Sequence, residues 1–243
     1  MIITQEFCPN TRKSFEVKHI DKTGIELEGN FEEIPFWRSG HFTSDGSVHG
    51  FEHLSSNYCR CGYHDCQCTL SDHKSGIGEY VSDPLNPDEV DDWISQCHPT
   101  ETNRSCGGHV HVSMKNLYYY MQIMTPEFYQ HLMDKMHDWG LRMEIHRESP
   151  FWDRISKDGT EFNFGGFNAR DQKNMRRDLE SPRYKQINYC FNLHDRHTVE
   201  FRFLPVFKQA RLQVSATLEI LRVIEEYLSQ TGEERPRVFN MEI

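Results

Sequence analysis

Three short segments alternate apolar and functional side chains with a period of two, and this alternation predicts three strands of one sheet. The segments are Gly-Ile-Glu-Leu-Glu at 24–28, His-Val-His-Val at 109–112 and Val-Glu-Phe-Arg-Phe at 199–203. In a strand, residues two apart project from the same face. Each segment therefore presents a pair of functional groups on one face: Glu26 with Glu28, His109 with His111, and Glu200 with Arg202.

Taken singly, each pair has an ordinary account, such as polar residues facing water or, for Glu200 and Arg202, a surface ion pair. Together, the pairs would place three carboxylates, two imidazoles and a guanidinium on one sheet face. Carboxylates packed side by side repel each other unless cations neutralise them, and carboxylate oxygen with imidazole suits Mg²⁺ or Mn²⁺ better than zinc. An arginine beside such cations needs an anion between them, and a nucleotide phosphate meets that need. The residues alone predict metal-assisted phosphate chemistry.

The rest of the chain predicts one α+β domain over residues 1–243. Strand patterns are interspersed with helical patterns at 126–146 and 208–229 without regular alternation, which favours an antiparallel sheet backed by helices. A further helix is predicted to start near Asn86, with acidic residues in its first turn. Turn residues predict a loop at 41–57, and the polar, Gly- and Arg-rich stretch 149–182 predicts loops over a site.

Charge and composition exclude several classes of function. The formal net charge of −10 argues against a basic surface that binds nucleic acid. The sequence has no apolar run near the roughly 20 residues that span a bilayer, and residues 1–10 lack the pattern of a signal peptide. We therefore expect a cytoplasmic protein without membrane contact, whose 8 cysteines stay reduced or hold a metal.

Five motifs occur in an order that resembles the amidoligase family, whose relatives include glutamine synthetase and glutamate–cysteine ligase. The resemblance covers residues 24 to 205 and rests on Gly-Ile-Glu-Leu-Glu (24–28), Asp-Gly-Ser (45–47), Glu-Tyr-Val-Ser-Asp-Pro-Leu (79–85), Cys-Gly-Gly-His-Val-His-Val-Ser (106–113) and Thr-Val-Glu-Phe-Arg (198–202). It implies a glutamine-synthetase-like antiparallel sheet and an ATP-dependent carboxylate–amine ligase. The implied reaction forms an acyl phosphate from ATP, and an amine then displaces phosphate.

The resemblance also implies roles for individual residues. It assigns divalent metals, Mg²⁺ or Mn²⁺, to Glu26, Glu28, Glu79, His109 and Glu200. His111 would lie near the phosphates, and Arg202 would stabilise the transferred phosphoryl group. Arg183, Tyr184 and Asn188 would contact nucleotide or substrate, and Asp45 would place substrate or support the turn. His111 and Asp45 are alternative bases for the amine.

The substrates implied are a small-molecule or peptide carboxylate and an amine. Glutamine-synthetase relatives assemble, so a homo-oligomer is an open alternative to a monomer.

One segment departs from the family pattern, a Cys- and His-rich insertion at 50–76. Its ligand-type residues are Cys59, Cys61, His64, Cys66 and Cys68. They supply enough ligands for one structural Zn²⁺, although the spacing differs from that of standard zinc fingers. The alternative is an exposed loop with reduced thiols. The insertion also leaves open whether Glu52 rather than Glu79 matches the family's acidic ligand; the Pro84-Leu85 pair after Glu79 favours Glu79.

Two other classes of function compete with the ligase. A zinc-dependent hydrolase could use His109, His111 and a carboxylate to activate water. A non-catalytic binding module could be stabilised by zinc in the Cys-rich insertion. Arg202 beside Glu200 favours the ligase, because a hydrolase has less use for a guanidinium aimed at phosphate.

Overall fold

The computed structural model of the protein describes residues 1–33, 35, 38–43, 48, 76–155, 187–190 and 198–231. These residues form strands and helices in mixed order. The strands are β1 (Ile2–Cys8), β2 (Thr11–Glu16), β3 (Ile20–Phe31), β4 (Gly40–Thr43), β5 (Gly76–Ser82), β6 (Gly107–Met114), β7 (Ile187–Cys190) and β8 (Thr198–Pro205). The helices are α1 (Val90–Cys97), which follows a 3-10 turn at Pro87–Glu89, α2 (Leu117–Ile123), α3 (Pro126–Arg142), α4 (Pro150–Arg154) and α5 (Ala210–Thr231).

The strands form two antiparallel sheets. β1 and β2 form a hairpin, and the other six form a sheet in the order β4-β5-β3-β6-β8-β7. The prediction of a mixed α+β fold, with an antiparallel sheet backed by helices, is confirmed. Among the described residues, no helix is both long and apolar enough to cross a bilayer.

One face of the large sheet carries the hydrophobic core. Alternate residues of its central strands are buried there, including Ile25, Leu27, Val110, Val112 and Phe201. Helix α5 packs against α1, α2, α3 and β1, so the helices and the hairpin form a layer over the core. The residues between these apolar positions therefore face the other side of the sheet, where the candidate site lies.

Local sequence determines where the helices begin. Asn116, Thr125 and Ser149 each accept a hydrogen bond from a backbone N–H of the first turn that follows, in α2, α3 and α4. Pro126 and Pro150 occupy the first helical positions, where the missing N–H costs nothing. The predicted helix at 126–146 thus begins as expected, and its apolar residues Phe128, Leu132, Met136, Trp139 and Met143 are all buried.

The predicted loops are wrong at two places. His41–Thr43 lie in β4, which pairs with β5, instead of in a turn region. Pro150–Arg154 form α4 instead of a loop, and the apolar side chain of Phe151 is fully buried there. Both elements are short, so their periodicity is too brief to be read from sequence, and tertiary contacts decide them.

Helix α5 also differs from the amphipathic helix predicted at 208–229. Its polar residues are buried as well as its apolar ones, among them Gln213, Thr217, Glu219 and Glu225. For Glu219 and Glu225 the reason is that the β1–β2 hairpin and its connection to β3 cover the side that an isolated amphipathic helix would expose. Gln213 instead accepts a hydrogen bond from the backbone N–H of Phe207. Glu225 accepts hydrogen bonds from the backbone N–H groups of His19 and Ile20, so α5 holds the start of β3 by a buried carboxylate.

Glycine is required at the start of β4. Gly40 has a φ of +149°, and a Cβ there would lie 2.3 Å from the carbonyl oxygen of Val81. We expect Gly40→Ala to lower the free energy of unfolding by about 1–3 kcal/mol, because the backbone must be strained or must shift. Urea denaturation measures this change, with Ser39→Ala at the exposed neighbouring position as control. Equal stability of the two variants would contradict the strained conformation.

Candidate metal centre

The six-stranded sheet brings the three predicted functional strands together. In its antiparallel register Glu26 on β3 lies opposite His109 on β6, and His111 on β6 lies opposite Glu200 on β8. Because β6 lies between β3 and β8, the two histidines lie between the carboxylates of the flanking strands. The charged groups that are far apart in sequence therefore meet on one face of the sheet.

Glu26 is the centre of the cluster. Its Oε2 lies 2.9 Å from His109 Nδ1, and its Oε1 lies 2.8 Å from His111 Nε2. His109 also approaches the other two carboxylates, with Nδ1 at 3.7 Å from Glu200 Oε1 and Nε2 at 3.9 Å from Glu28 Oε1. Three carboxylates thus surround one imidazole in a compact site.

The cluster is largely shielded from solvent. Glu28, His109 and Glu200 expose only 4%, 5% and 4% of their surface. Burial by itself raises the pKa of Glu26, but the hydrogen bond with His109, the close contact with His111 and the charges of both histidines outweigh it and hold that pKa well below its usual range. Glu26 is therefore a carboxylate anion at neutral pH.

His111 differs from His109 in its hydrogen bonding. Its Nε2 is close to Glu26 but lacks the geometry of a hydrogen bond, and this buried atom has no hydrogen-bond partner in the described part of the chain. Burial lowers the pKa of His111, yet the neighbouring Glu26 and Glu200 carboxylates raise it above its usual value. A buried nitrogen without a hydrogen bond, beside carboxylate oxygens, fits a metal ligand once the imidazole is neutral, because a bound cation takes the place of the proton on that nitrogen.

The residues present fit a divalent cation. Ligand atoms of Glu26, His111 and Glu200 all lie within 4.8 Å of one another. Ligands of a single octahedral Mg²⁺, bonded at about 2.1 Å, lie about 3.0 Å apart at neighbouring positions and about 4.2 Å apart at opposite ones, so movements of about 1 Å would bring the three atoms onto one ion. The donor set of two carboxylates and one imidazole is hard in character and suits Mg²⁺ or Mn²⁺.

A backbone contact fixes the orientation of Glu28. The N–H of Gly107 donates a hydrogen bond to Glu28 Oε2, with 2.5 Å between the heavy atoms. A Cβ at position 107 would lie 2.6 Å from His109 Nε2 and 3.3 Å from Glu28 Oε2, so only glycine leaves room for both side chains. Sequence reasoning included Gly107 only as part of a motif and missed this role.

The segment that leads into β6 is held by Arg154 of α4. Its guanidinium donates hydrogen bonds to the backbone carbonyls of Leu204, Arg104 and Cys106, at 2.8, 3.2 and 3.3 Å. These contacts join the end of β8 to the start of β6, next to Gly107. Arg154 was not predicted, because its partners are backbone atoms distant in sequence and no motif marks them.

Glu79 lies on the same face, one strand beyond Glu28. It is half-buried on β5, directly opposite Glu28 on β3. The register therefore places a fourth carboxylate on a strand adjacent to the cluster. Glu52, the alternative ligand, lies outside the described residues.

Arg202 forms an ion pair with Glu200 within β8, through Nη1 and Oε1. The guanidinium is about one-third exposed, whereas Glu200 is buried. The arginine thus lies at the border between the buried carboxylates and solvent. Its guanidinium has more N–H donors than one carboxylate oxygen can accept.

The remaining predicted residues have limited or no structural description. Asn188 lies on β7 opposite Glu200, and its side chain is outside the described part. Asp45, Arg183 and Tyr184 lie outside the described residues, as do all five candidate zinc ligands, Cys59, Cys61, His64, Cys66 and Cys68. Of the insertion predicted at 50–76, only Gly76 is described, as the first residue of β5. These assignments stay predictions.

Comparison with known proteins finds no match for this chain among family models, curated proteins or solved structures.

Proposed function

We propose that the protein is an ATP-dependent carboxylate–amine ligase of the amidoligase type, with a glutamine-synthetase-like sheet. The observation that carries the proposal is the meeting of Glu26, His111 and Glu200 within 4.8 Å on one sheet face, with Arg202 paired to Glu200. Carboxylates and an imidazole suit a divalent cation, and a guanidinium at the edge suits an anion bound over that cation. A nucleotide polyphosphate combines both requirements.

The proposed reaction has two steps. A carboxylate oxygen of the first substrate attacks the γ-phosphorus of ATP, and the bond to the β,γ-bridging oxygen breaks with release of ADP. The nitrogen of an amine then attacks the carbonyl carbon of the acyl phosphate. Phosphate leaves with its bonding electrons, and the amine loses a proton.

The residues have distinct parts in this scheme. Glu26, Glu28, Glu79, His109, His111 and Glu200 would hold two or three divalent ions, which supply charge neutralisation for the polyphosphate when bound. Arg202 would stabilise the negative charge that develops on the transferred phosphoryl group. Asp45 and, where it does not bind a cation, His111 are alternative acceptors of the amine proton.

Calorimetric titration of ATP tests the proposal. We expect wild-type protein to bind ATP only when Mg²⁺ or Mn²⁺ is present, and Glu200→Ala to lose this binding, because Glu200 both contributes to the metal cluster and positions Arg202. Glu16→Ala is the matched control, since Glu16 is an exposed glutamate in an ion pair with Lys18.

Three results would change the conclusion. If folded wild-type protein fails to bind ATP with either metal, the ligase proposal is wrong. Tight binding of Zn²⁺ at the two histidines without ATP binding would favour the metal-dependent hydrolase. Equal loss in Glu16→Ala and Glu200→Ala would show a general effect on the fold instead of a role for the site.

A further inference from the structure

A single peptide group connects a buried carboxylate of the candidate metal centre to an arginine outside it. The N–H of Gly107 donates a hydrogen bond to Glu28 Oε2 at 2.5 Å. The carbonyl oxygen of Cys106, at the other end of the same peptide group, accepts a hydrogen bond from Arg154 Nη2 at 3.3 Å. The positive end of the peptide dipole therefore lies at the carboxylate and its negative end at the guanidinium, and each contact strengthens the other.

The sheet is irregular where this peptide group lies. Between β6 and β8, Gly108 pairs with Leu204 and Val110 pairs with Phe201, so one residue of β6 faces two residues of β8. Such an irregularity is a β-bulge, and it disrupts the backbone ladder locally. A side-chain donor that contacts both segments adds a constraint that the interrupted ladder lacks.

Arg154 supplies this constraint with two different nitrogens. Its Nη1 donates to the Leu204 carbonyl of β8 at 2.8 Å, and its Nη2 donates to the carbonyls of Arg104 and Cys106, before β6, at 3.2 and 3.3 Å. The planar guanidinium fixes the spacing of these donors. One lysine ammonium could not occupy both nitrogen positions, so the contacts are specific to arginine.

The core fixes the helix from which Arg154 extends. Phe151, three residues earlier in α4, is fully buried, and the centre of its ring lies 5.2 Å from that of Trp139 in an edge-to-face contact. Arg154 itself is half-buried. The backbone that carries the guanidinium is thus held by a core residue on the side of the sheet remote from the metal centre.

We propose that Arg154 is a positioning residue of the metal centre, which acts through the Cys106–Gly107 peptide group to fix the Glu28 carboxylate for cation binding. The inference rests on the metal centre of the proposed function and adds a residue outside that centre which sets its affinity. Glu28 Oε1 lies 3.9 Å from His109 Nε2. With Oε2 held by Gly107, Oε1 is the oxygen that a cation in the cluster would contact.

Arg154 also offsets the repulsion within the cluster. Glu28 shares the site with Glu26 and Glu200, and carboxylates so close together oppose one another's negative charge. A guanidinium at the far end of the peptide group favours the charged form of Glu28 without occupying the space of a cation. Groups that orient a metal ligand in this way typically contribute 10–100-fold to metal affinity.

Titration with Mn²⁺, followed by electron paramagnetic resonance in the absence of nucleotide, tests the inference. We expect Arg154→Met to weaken Mn²⁺ binding by about tenfold or more. Arg104→Met is the matched control, because the Arg104 side chain is 74% exposed and pairs with the exposed Asp153, and it should leave the affinity unchanged. Circular dichroism first establishes that each variant is folded. If Arg154→Met does not fold, Arg154→Lys replaces it, since lysine keeps the charge but loses the two-nitrogen contact.

A double-mutant cycle separates positioning of Glu28 from a general effect on the fold. In a Glu28→Ala background the carboxylate that Arg154 orients is gone, so the Arg154 substitution should weaken Mn²⁺ binding further by no more than about twofold. The same factor of loss in both backgrounds would show that Arg154 does not act through Glu28.

Nuclear magnetic resonance of the metal-free protein, labelled at glycine, gives a second measurement. The Gly107 amide proton should resonate far downfield because of its short hydrogen bond, and its signal is identified by its shift in Glu28→Ala. Loss of the guanidinium should move this signal upfield, since the peptide group is then less polarised. A signal that Arg154→Met leaves in place contradicts the proposed connection.

The outcomes distinguish this inference from the proposed function. Mn²⁺ binding that depends on both Arg154 and Glu28, in a protein that does not bind ATP, supports the positioning role while the ligase proposal fails. Mn²⁺ affinity that is unchanged in Arg154→Met overturns the positioning role even if ATP binds. Folded wild-type protein that binds no Mn²⁺ overturns both.

Discussion

Glu26→Gln is expected to reduce the affinity of the protein for Mn²⁺ by about 100-fold or more. Glu26 is the carboxylate that contacts both histidines, and its low pKa keeps it charged where a cation would bind. Loss of a group that only supports a ligand typically costs 10–100-fold in metal affinity, so loss of a ligand itself costs at least as much. Glutamine keeps the size of the side chain, and the change therefore isolates the charge.

Titration with Mn²⁺, followed by electron paramagnetic resonance, measures this affinity directly. Bound metal also stabilises the folded state, so the melting temperature of wild-type protein should rise with Mn²⁺ and that of the variant should not. Glu16→Gln, at an exposed glutamate of the hairpin, serves as control for the change of charge. Unchanged Mn²⁺ affinity in Glu26→Gln would show that Glu26 does not bind the metal, and that any metal site lies elsewhere in the protein.

Glu219→Ala is expected to lower the free energy of unfolding by about 3–5 kcal/mol. Glu219 is fully buried in α5 and accepts hydrogen bonds from Gln5 of β1, Arg142 of α3 and Arg222 of its own helix, at 2.7–2.8 Å. The carboxylate thus joins the hairpin, α3 and α5. Removing it leaves Arg142 and Arg222 without their shared counter-charge, and breaking a buried pair in this way is strongly destabilising.

Urea denaturation at neutral pH measures the loss. Glu226→Ala provides the control, because Glu226 pairs with the same Arg222 but its side chain is 41% exposed, and exposed pairs contribute about 1 kcal/mol or less. A loss in Glu219→Ala no greater than that in Glu226→Ala would contradict a structural role for the buried network.

The same variant should reveal a dependence on pH. Burial raises the pKa of Glu219, but hydrogen bonds and charges, first of Arg222 and then of Gln5 and Arg142, outweigh it and lower the pKa below the ordinary 4.5. A carboxyl with a lowered pKa stabilises the folded state above its unfolded pKa and loses that contribution as the pH falls through its folded pKa. The stability difference between wild type and Glu219→Ala should therefore be constant near neutral pH and narrow below about pH 4.5.

The arrangement of the site could be predicted from sequence to the level of strands and faces. Five residues of strict alternation suffice to show that Glu26 and Glu28 share a face, as do His109 and His111. Alternation cannot determine the register between two paired strands. If one strand is shifted by two residues against its neighbour, every side chain stays on the same face of the sheet. That Glu26 lies opposite His109, and that Gly107 donates to Glu28, depend on pairing between distant segments.

The buried glutamates of α5 and the short helix α2 could not be predicted from the sequence for other reasons. Glu219 and Glu225 occupy positions that an isolated helix would expose, and they are buried only because the hairpin covers α5. Helix α2 was not predicted, since its run of tyrosines has the character of a strand. Asn116, which caps the first turn through Tyr119 N, was the local signal that could have revealed it.

The strand order also has a consequence for how the protein folds. Glu26 and His109 are separated by 83 positions in the chain, and Glu28 and Gly107 by 79. The entropic cost of closing such long loops must be met before the contacts between the strands can stabilise the chain. These strand pairings therefore form slowly and late in folding. The cluster of Glu26, His111 and Glu200 is therefore not assembled in a partly folded chain that has formed only local helices and the hairpin. A cation bound at the cluster would stabilise only the completed sheet. It would therefore slow the unfolding of the protein and leave its folding rate unchanged.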